Sequence, residues 1–153
     1  MTSPDLVPGA AARPTARPRS AYRRFMSLTT RWMDNDAYGH LNNVVYYSLF
    51  DTVVNRTLIE AGALDIERSQ VIGLVVETHC NYFAPLAFPQ TVEAGLRVAT
   101  IGSSSVRYEI GLFGEGAQTA AACGHFVHVY VDRVTRRPVA LPDPLKTTLQ
   151  GLL

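Results

Sequence analysis

The hydrophobic pattern of this chain changes its period once, near Gly62, and that change limits the folds open to it. Before Gly62 the apolar residues recur every three or four positions, at Tyr46, Leu49, Phe50, Val53, Val54, Leu58 and Ala61. This spacing predicts one helix of about five turns that buries a single face. Asn42 or Asn43 is a natural N-cap for that helix, and Gly62 is a natural stop.

After Gly62 the pattern takes on the period of two that is typical of β-strands. Four such runs lie between residues 71 and 132, and glycine-containing turns near residues 102 and 114 separate the later ones. A weaker strand over residues 20–30 precedes the helix. The sequence therefore predicts an α+β fold in which an antiparallel sheet of about five strands packs against one long helix. We expect the last four strands to form a consecutive meander.

The first of these four runs carries an apolar row and a mixed row. The apolar row contains Ile72, Leu74, Val76, Thr78, Cys80 and Tyr82. The alternating row places Val71, Val75 and Phe83 among polar residues, namely Glu77, His79 and Asn81. A mixed surface of this kind is common where subunits meet. We therefore expect a homodimer.

Length and charge restrict the domain count and the partners. The 153 residues suit one domain, which we assign to residues 19–153. We expect residues 1–18, rich in Pro, Ala and Arg, to be a disordered tail. A net charge of +1 provides no field that would attract nucleic acid or an anionic membrane. The longest apolar run, over residues 71–76, is too short to cross a bilayer, and we expect a cytoplasmic protein.

Polar residues crowd the stretch RWMDNDAYGHLNNVVYYSLFD, from Arg31 to Asp51, in front of the predicted helix. One interpretation is a turn followed by a helix cap. The other is catalytic: a strand ending near Trp32 and a turn through Gly39 would set the Asp36 carboxylate beside free amides at the helix N-terminus. Such amides, aided by the helix dipole, stabilise an oxyanion. A carboxylate and an oxyanion hole are sufficient for acyl transfer to water.

The neighbouring residues leave their roles open. Asp34 would share a face with Asp36 if the strand continued, and we expect a hydrogen-bonding role for it. His40 could orient the carboxylate, bind substrate or bond the turn. Tyr46 could pack in the core or contact a bound acyl group. Arg107 could meet a phosphate or be solvated.

Two other groups have no predicted chemistry. His125 and His128 are three apart on a strand, so they point to opposite faces and cannot share a metal ion. Cys123 lies in mid-strand, where no helix terminus lowers its pKa, and is not expected to be a nucleophile. We expect Cys80 and Cys123 to be buried, reduced thiols. The sequence thus predicts neither a metal nor a cofactor.

The segment DNDAYGHLNNVVYYSLFD resembles the hot-dog-fold acyl-CoA thioesterases of the 4-hydroxybenzoyl-CoA thioesterase type. The family pattern is an aspartate, two residues, a glycine that is often followed by histidine, then asparagines and a helical tyrosine. In this chain it corresponds to Asp36, Gly39, His40, Asn42, Asn43 and Tyr46. The resemblance spans about residues 20–150 and includes the passages NYFAPLAFPQTVEAGLRV, GSSSVRYE and RRPVALP.

This resemblance implies a sheet wrapped around the helix and two subunits joined edge to edge, often paired again into tetramers, with the active site at the dimer interface. It implies that Asp36 is the general base or nucleophile and that the Asn43 backbone amide polarises the thioester carbonyl. Gly39 and His40 complete the predicted catalytic set. The predicted substrate-binding residues are Asn42, Tyr46, Tyr47 and Arg107.

The predicted function is therefore hydrolysis of an acyl-CoA thioester to a free acid and CoA. Three alternatives stay open. The first is a non-catalytic module that binds acyl-CoA. The second is a thioesterase that acts on acyl groups attached to acyl carrier protein. The third is a hydratase or dehydratase that uses Glu77 and His79.

Overall fold

The structure is a computed structural model that describes residues 11–153. It contains one antiparallel sheet of five strands, one long helix and one short C-terminal helix. The elements are β1 (Arg24–Thr29), α1 (Asn43–Glu60), β2 (Val71–Tyr82), β3 (Thr91–Ile101), β4 (Ser105–Phe113), β5 (Ala122–Asp132) and α2 (Asp143–Gln150). The predicted α+β class, the long helix and the five strands are confirmed. None of the helices in this part of the chain is long and apolar enough to span a membrane.

The strand order is β1-β3-β4-β5-β2, so the predicted four-strand meander is wrong for β2. Strands β3, β4 and β5 are consecutive neighbours, but β2 pairs with β5 at the far edge of the sheet. The connection from β2 to β3, residues 83–90, is too long for a tight hairpin and is anchored elsewhere. Its Leu86 is buried, and the Leu86 carbonyl accepts a 2.7 Å hydrogen bond from the Leu41 N–H. Strand β2 is consequently an edge strand.

Helix α1 lies across one face of the sheet and begins and ends as predicted. The Asn42 side chain accepts a 3.1 Å hydrogen bond from the Val44 N–H and so caps the helix. Of the predicted stripe, Ala61 is exposed because it lies one residue beyond the last helical residue, and the other six residues are buried. Phe50 packs against Gly124 of β5, where an added Cβ would lie 2.2 Å from the Phe50 ring. The helix and sheet therefore fit closely at that point.

A β-bulge at Val76 alters which side chains of β2 face α1. Val75 pairs with His128 and Glu77 with Val127, which leaves Val76 without a partner. Before the bulge, Gly73 and Val75 are opposite the buried residues Tyr130 and His128 and therefore share their face. Ile72 and Leu74 face the other way, so the predicted continuous apolar row is wrong. Beyond the bulge the prediction holds for Thr78, Cys80 and Tyr82.

Residues 17–23 cross the sheet face opposite α1. The Tyr22 ring lies over the paired glycines Gly95 and Gly111, and an added Cβ on Gly111 would lie 2.5 Å from it. Pro18 forms an isolated bridge with Thr119. The predicted tail over residues 1–18 has its first ten residues outside the described part of the chain. Its boundary stays a prediction.

The contact between Phe50 and Gly124 yields a stability prediction. Gly124→Ala should lower the free energy of unfolding by about 1–3 kcal/mol, the usual cost of overpacking a core, because the new methyl group meets both the ring and the His79 carbonyl. Urea denaturation measures the change. The matched control is Gly114→Ala, whose methyl group would make only ordinary contact with Leu86. Equal stabilities of the two variants would contradict the close packing.

Candidate active site

The segment between β1 and α1 is a compact turn rather than a continued strand. Residues Trp32–Asp34 form a short 3-10 helix, so β1 ends at Thr29 and Asp34 does not share a strand face with Asp36 as expected. Asp34 is buried and accepts hydrogen bonds from the Arg31 backbone and guanidinium, each at 2.8 Å. The Asp34 carbonyl accepts a 2.8 Å bond from the Asn42 N–H. Asp34 therefore positions the helix start.

Asp36 begins a tight turn that returns the chain to the helix. Its N–H donates to the His40 carbonyl at 2.8 Å, and the Gly39 N–H donates to the Asp36 carbonyl at 3.1 Å. Gly39 has a φ of +80°, in the left-handed region that glycine adopts without strain. The Asp36 carboxylate accepts a 2.8 Å bond from the Tyr38 N–H. This bond fixes the orientation of the carboxylate.

The first amides of α1 have different partners. The Val44 N–H is bound by the Asn42 side chain, and the Val45 N–H donates to the Asn42 carbonyl at 2.9 Å. Asn43 is the first helical residue, so its N–H has no partner within the helix. Among residues 11–153 no other acceptor takes it. One amide with the positive end of the helix dipole behind it is thus available to a ligand.

The Asp36 carboxylate and the start of α1 line the same cleft, which has a volume of about 870 Å³. Tyr46 and Tyr82 form one wall as an edge-to-face pair with ring centroids 4.8 Å apart. The Tyr82 hydroxyl donates to the Asn43 carbonyl at 3.0 Å. Burial raises the pKa of both tyrosines, and the Asp36 charge raises that of Tyr46 further. The wall is therefore aromatic and uncharged at neutral pH.

The predicted site residues divide into those that line this cleft and those that do not. The cleft brings together Asp36, His40, Asn42, Asn43 and Tyr46. Gly39 shapes the turn beside it. Tyr47 instead packs edge-on against Phe50. Arg107 lies on the opposite face of the sheet, where its guanidinium is 3.1 Å from the His125 ring.

Two tyrosines that line the cleft, Tyr38 and Tyr82, are not among the site residues predicted from the sequence. Tyr38 lies between Asp36 and Gly39, so its position inside the motif could have identified it. Tyr82 is 39 residues from Asn43 along the chain, and only the fold brings its hydroxyl to the helix start. No local pattern in the sequence points to Tyr82.

The two histidines of β5 lie on different faces of the sheet. His125 and His128 point to opposite faces as predicted: His125 bonds the exposed Glu77 at 2.7 Å, whereas His128 is buried in the helix-facing core. Glu77 and His79 lie on the face opposite the Asp36 cleft, and Glu77 is engaged by His125, which gives no support to the hydratase alternative.

Cys80 and Cys123 are unpaired thiols, half-buried rather than fully buried. Burial raises the pKa of Cys80 to about 11.

An antiparallel five-stranded sheet packed against one long helix agrees with the hot-dog fold that the sequence implies. A family profile described as "Thioesterase-like superfamily" matches residues 30–149 of this chain. The chain belongs to that family and is a hydrolase acting on thioester bonds. The resemblance to hot-dog thioesterases is thereby confirmed at the level of the superfamily.

Individual proteins are similar to this chain in sequence or in fold. The crystal structure of the PA5185 protein from Pseudomonas aeruginosa PAO1 is 56% identical to this chain, with a TM-score of 0.88, and the match covers 90% of this chain and 96% of that one. The uncharacterized protein YsmA of Bacillus subtilis is 24% identical over 86% of this chain and 88% of its own length. Slr0204 of Synechocystis, a 1,4-dihydroxy-2-naphthoyl-CoA thioesterase, is 14% identical with a TM-score of 0.75, covers 84% and 96% of the two chains, and shows the fold alone.

The N-cap gives a second prediction. Asn42→Ala should destabilise the protein by about 0.5–2 kcal/mol, because the Val44 N–H loses its acceptor at the helix start. Thermal or urea unfolding provides the measurement. The adjacent Asn43→Ala is the matched control, since the Asn43 side chain is exposed and no cap depends on it. A loss of stability as large in Asn43→Ala as in Asn42→Ala would contradict the assignment of the cap.

Proposed function

We propose that the protein hydrolyses acyl-CoA thioesters in the cleft between Asp36 and the N-terminus of α1. The observation that carries this proposal is the free Asn43 N–H on the same cleft wall as the oriented Asp36 carboxylate. An amide donor and a carboxylate are the two groups that thioester hydrolysis by water requires. Neither a serine nor a cysteine nucleophile is needed.

In the proposed reaction the thioester carbonyl oxygen accepts a hydrogen bond from the Asn43 N–H. The helix dipole stabilises the negative charge that develops on this oxygen as the carbonyl carbon becomes tetrahedral. As general base, Asp36 removes a proton from the attacking water; the tetrahedral intermediate then expels the CoA thiolate, which takes that proton from Asp36 and leaves as the thiol. As nucleophile, Asp36 instead attacks the carbonyl carbon and expels the CoA thiolate to form a mixed anhydride, which water hydrolyses to the acid and the free carboxylate. His40, at the mouth of the cleft, is available to orient the carboxylate or the substrate.

The acyl group is assigned to the wall formed by Tyr46 and Tyr82. This wall is aromatic and uncharged, which suits an apolar aryl or alkyl group. Slr0204, which shares the fold, acts on an aroyl-CoA by its name. Asn42 and Tyr47 stay predicted substrate contacts. Arg107 lies on the sheet face that α1 does not cover, so it could contact the CoA phosphates only if CoA extends around the edge of the sheet.

The catalytic role of Asp36 is tested by the substitution Asp36→Asn. The variant should hydrolyse acyl-CoA about 10²- to 10⁴-fold more slowly, because the amide neither accepts a proton nor attacks carbon. The measurement is release of CoA thiol from a panel of alkyl and aryl acyl-CoAs. Asp51→Asn, an exposed aspartate on α1, is the matched control and should keep the full rate. Full activity in Asp36→Asn would remove Asp36 from the mechanism.

The same panel, extended by one thioester attached to acyl carrier protein and by a binding measurement, separates the alternatives. A binding module would bind acyl-CoA saturably and release no thiol. A thioesterase for acyl carrier protein would hydrolyse the carrier-bound thioester much faster than the corresponding acyl-CoA. The free amide beside a carboxylate favours hydrolysis over binding alone, since binding by itself needs no base.

We further propose that two copies pair through the edge of β2. This strand has twelve residues and unpaired backbone groups along one side. Leu74, Val75 and Val76 are exposed at its middle, with Val76 61% exposed on the bulge. Pairing through β2 would bury this apolar patch and place a second subunit beside the Asp36 cleft, which lies at the Tyr82 end of the strand. The predicted tetramer and the cytoplasmic location stay predictions.

The β2 interface is tested by Val76→Lys. A charge at the middle of the edge should convert the dimer to a monomer, because the lysine would be desolvated against the partner strand. Light scattering coupled to size-exclusion chromatography reports the mass. Val134→Lys places the same charge on a turn where the valine is 81% exposed, and should leave the mass unchanged. A Val76→Lys variant that elutes as a dimer would contradict the β2 interface.

A further inference from the structure

A second cleft of about 320 Å³ lies at the opposite end of β2, between the C-terminal end of α1 and helix α2. Most of its lining is apolar and comes from α1, α2 and the loop after α1, including Leu58, Leu64 and Leu145. Gly73 and His128 lie on the sheet side. The proposed reaction makes no use of this cleft.

His128 is the unusual member of the lining. Its side chain is buried, with 2% of the residue exposed, and among residues 11–153 neither ring nitrogen has a hydrogen-bond partner. Nε2 is fully enclosed, whereas Nδ1 lies on the ring edge beside Gly73. The nearby hydroxyls of Tyr108 and Tyr130 bond each other at 2.6 Å instead of the imidazole. Burial lowers the pKa of His128 to about 4, so the ring is neutral at physiological pH. Buried polar groups are nearly always paired, so the unpaired Nδ1 at the border of the cleft points to a ligand there.

Gly73 keeps the ring accessible from the cleft. A Cβ at this position would lie 2.9 Å from the His128 Nδ1 and 3.0 Å from the Tyr130 ring. Any larger residue would cover the imidazole edge. A glycine on the helix-facing side of β2 therefore leaves the space that a ligand needs to reach the ring.

The two clefts cannot serve one substrate within a single chain. Gly73 and Tyr82 are nine residues apart on β2, which is about 30 Å at the rise of an extended strand. In a dimer, two β2 strands that pair antiparallel about their middle run in opposite directions, so opposite ends of the two strands lie side by side. The Gly73 end of one strand then lies beside the Tyr82 end of the other, so the His128 cleft of one subunit adjoins the Asp36 cleft of its partner.

We propose that the His128 cleft receives the far end of the acyl group bound at the partner's Asp36 cleft and selects acyl groups that end in a hydroxyl. This inference rests on the proposed hydrolysis and on the β2 interface. A hydroxyl donates and accepts, so it can satisfy either tautomer of a neutral imidazole. A terminal carboxylate would find no positive charge there and would be desolvated among apolar residues.

The test uses acyl-CoAs matched in length at six, eight and ten carbons, each ending in a methyl, a hydroxyl or a carboxylate. At the length that spans both clefts, kcat/KM should be about three- to tenfold higher for the hydroxyl than for the methyl, the scale of one net hydrogen bond. The carboxylate should be the poorest substrate. Equal values for hydroxyl and methyl at every length would overturn the inference and leave the proposed hydrolysis intact.

The residue is tested by His128→Leu, which removes both ring nitrogens. The ratio of kcat/KM for hydroxyl over methyl should fall to about one. The control is Gln150→Leu, a polar-to-leucine change at an exposed position of α2 that lines neither cleft, which should keep the wild-type ratio. A His128→Leu variant that keeps the wild-type preference would overturn the assignment.

A binding measurement on the wild-type protein covers the case in which His128→Leu fails to fold or no acyl-CoA is hydrolysed. Protein labelled with ¹⁵N in histidine is titrated with 1-pentanol. Saturable shifts of the His128 ring nitrogens, reduced in Gly73→Val, support the cleft even if the absence of thiol release refutes the proposed function. No shift of the His128 resonances would overturn the inference.

Discussion

The hydrogen bonds at the start of α1 hold together the parts of the chain on which the candidate site depends. The Asn42 N–H bonds the Asp34 carbonyl, the Leu41 N–H bonds the Leu86 carbonyl, and the Asn42 side chain caps the helix. They tie the turn after β1 and the connection before β3 to one helix end. Because Asn42 caps Val44 rather than Asn43, the Asn43 amide is left for a ligand. The contacts that hold the helix start and the groups of the proposed chemistry therefore involve the same few residues.

Strand β2 links the cleft at the start of α1 to the cleft at the other end of the sheet. Its position at the edge follows from the long connection that Leu86 anchors, and its bulge turns Gly73 and Val75 toward the helix. The Asp36 cleft lies at one end of the strand and the His128 cleft at the other. A symmetric pair of β2 strands would bring the Asp36 cleft of one subunit beside the His128 cleft of the other, whereas within one chain the two clefts lie at opposite ends of the strand.

Much of the fold could be predicted from local pattern. The helix of α1 has a buried stripe, a cap and a stop that are all near neighbours in sequence, and the strands alternate visibly. The candidate site could be predicted in part for the same reason, since Asp36, Gly39, Asn42 and Asn43 lie within one turn and one helix start. Their closeness in space follows from their closeness in the chain.

The remaining features depend on contacts between distant residues. The edge position of β2, the bulge at Val76 and the side on which Arg107 lies follow from pairing that no local period encodes. Tyr82 and His128 acquire their surroundings only in the folded chain. The local sequence therefore predicts the candidate motif and Tyr46, but not Tyr82, which completes the wall of the cleft.

The most direct measurement of the central claim is a crystal structure with an acyl-CoA analogue in which a methylene group replaces the thioester sulfur. This ketone cannot be cleaved at the C–S bond but keeps the carbonyl. If Asn43 supplies the oxyanion donor, the carbonyl oxygen of the analogue should lie about 2.7–3.1 Å from the Asn43 nitrogen. The Asp36 carboxylate should also face the carbonyl carbon, directly or through one water. An analogue whose carbonyl is bound away from both groups would contradict the account.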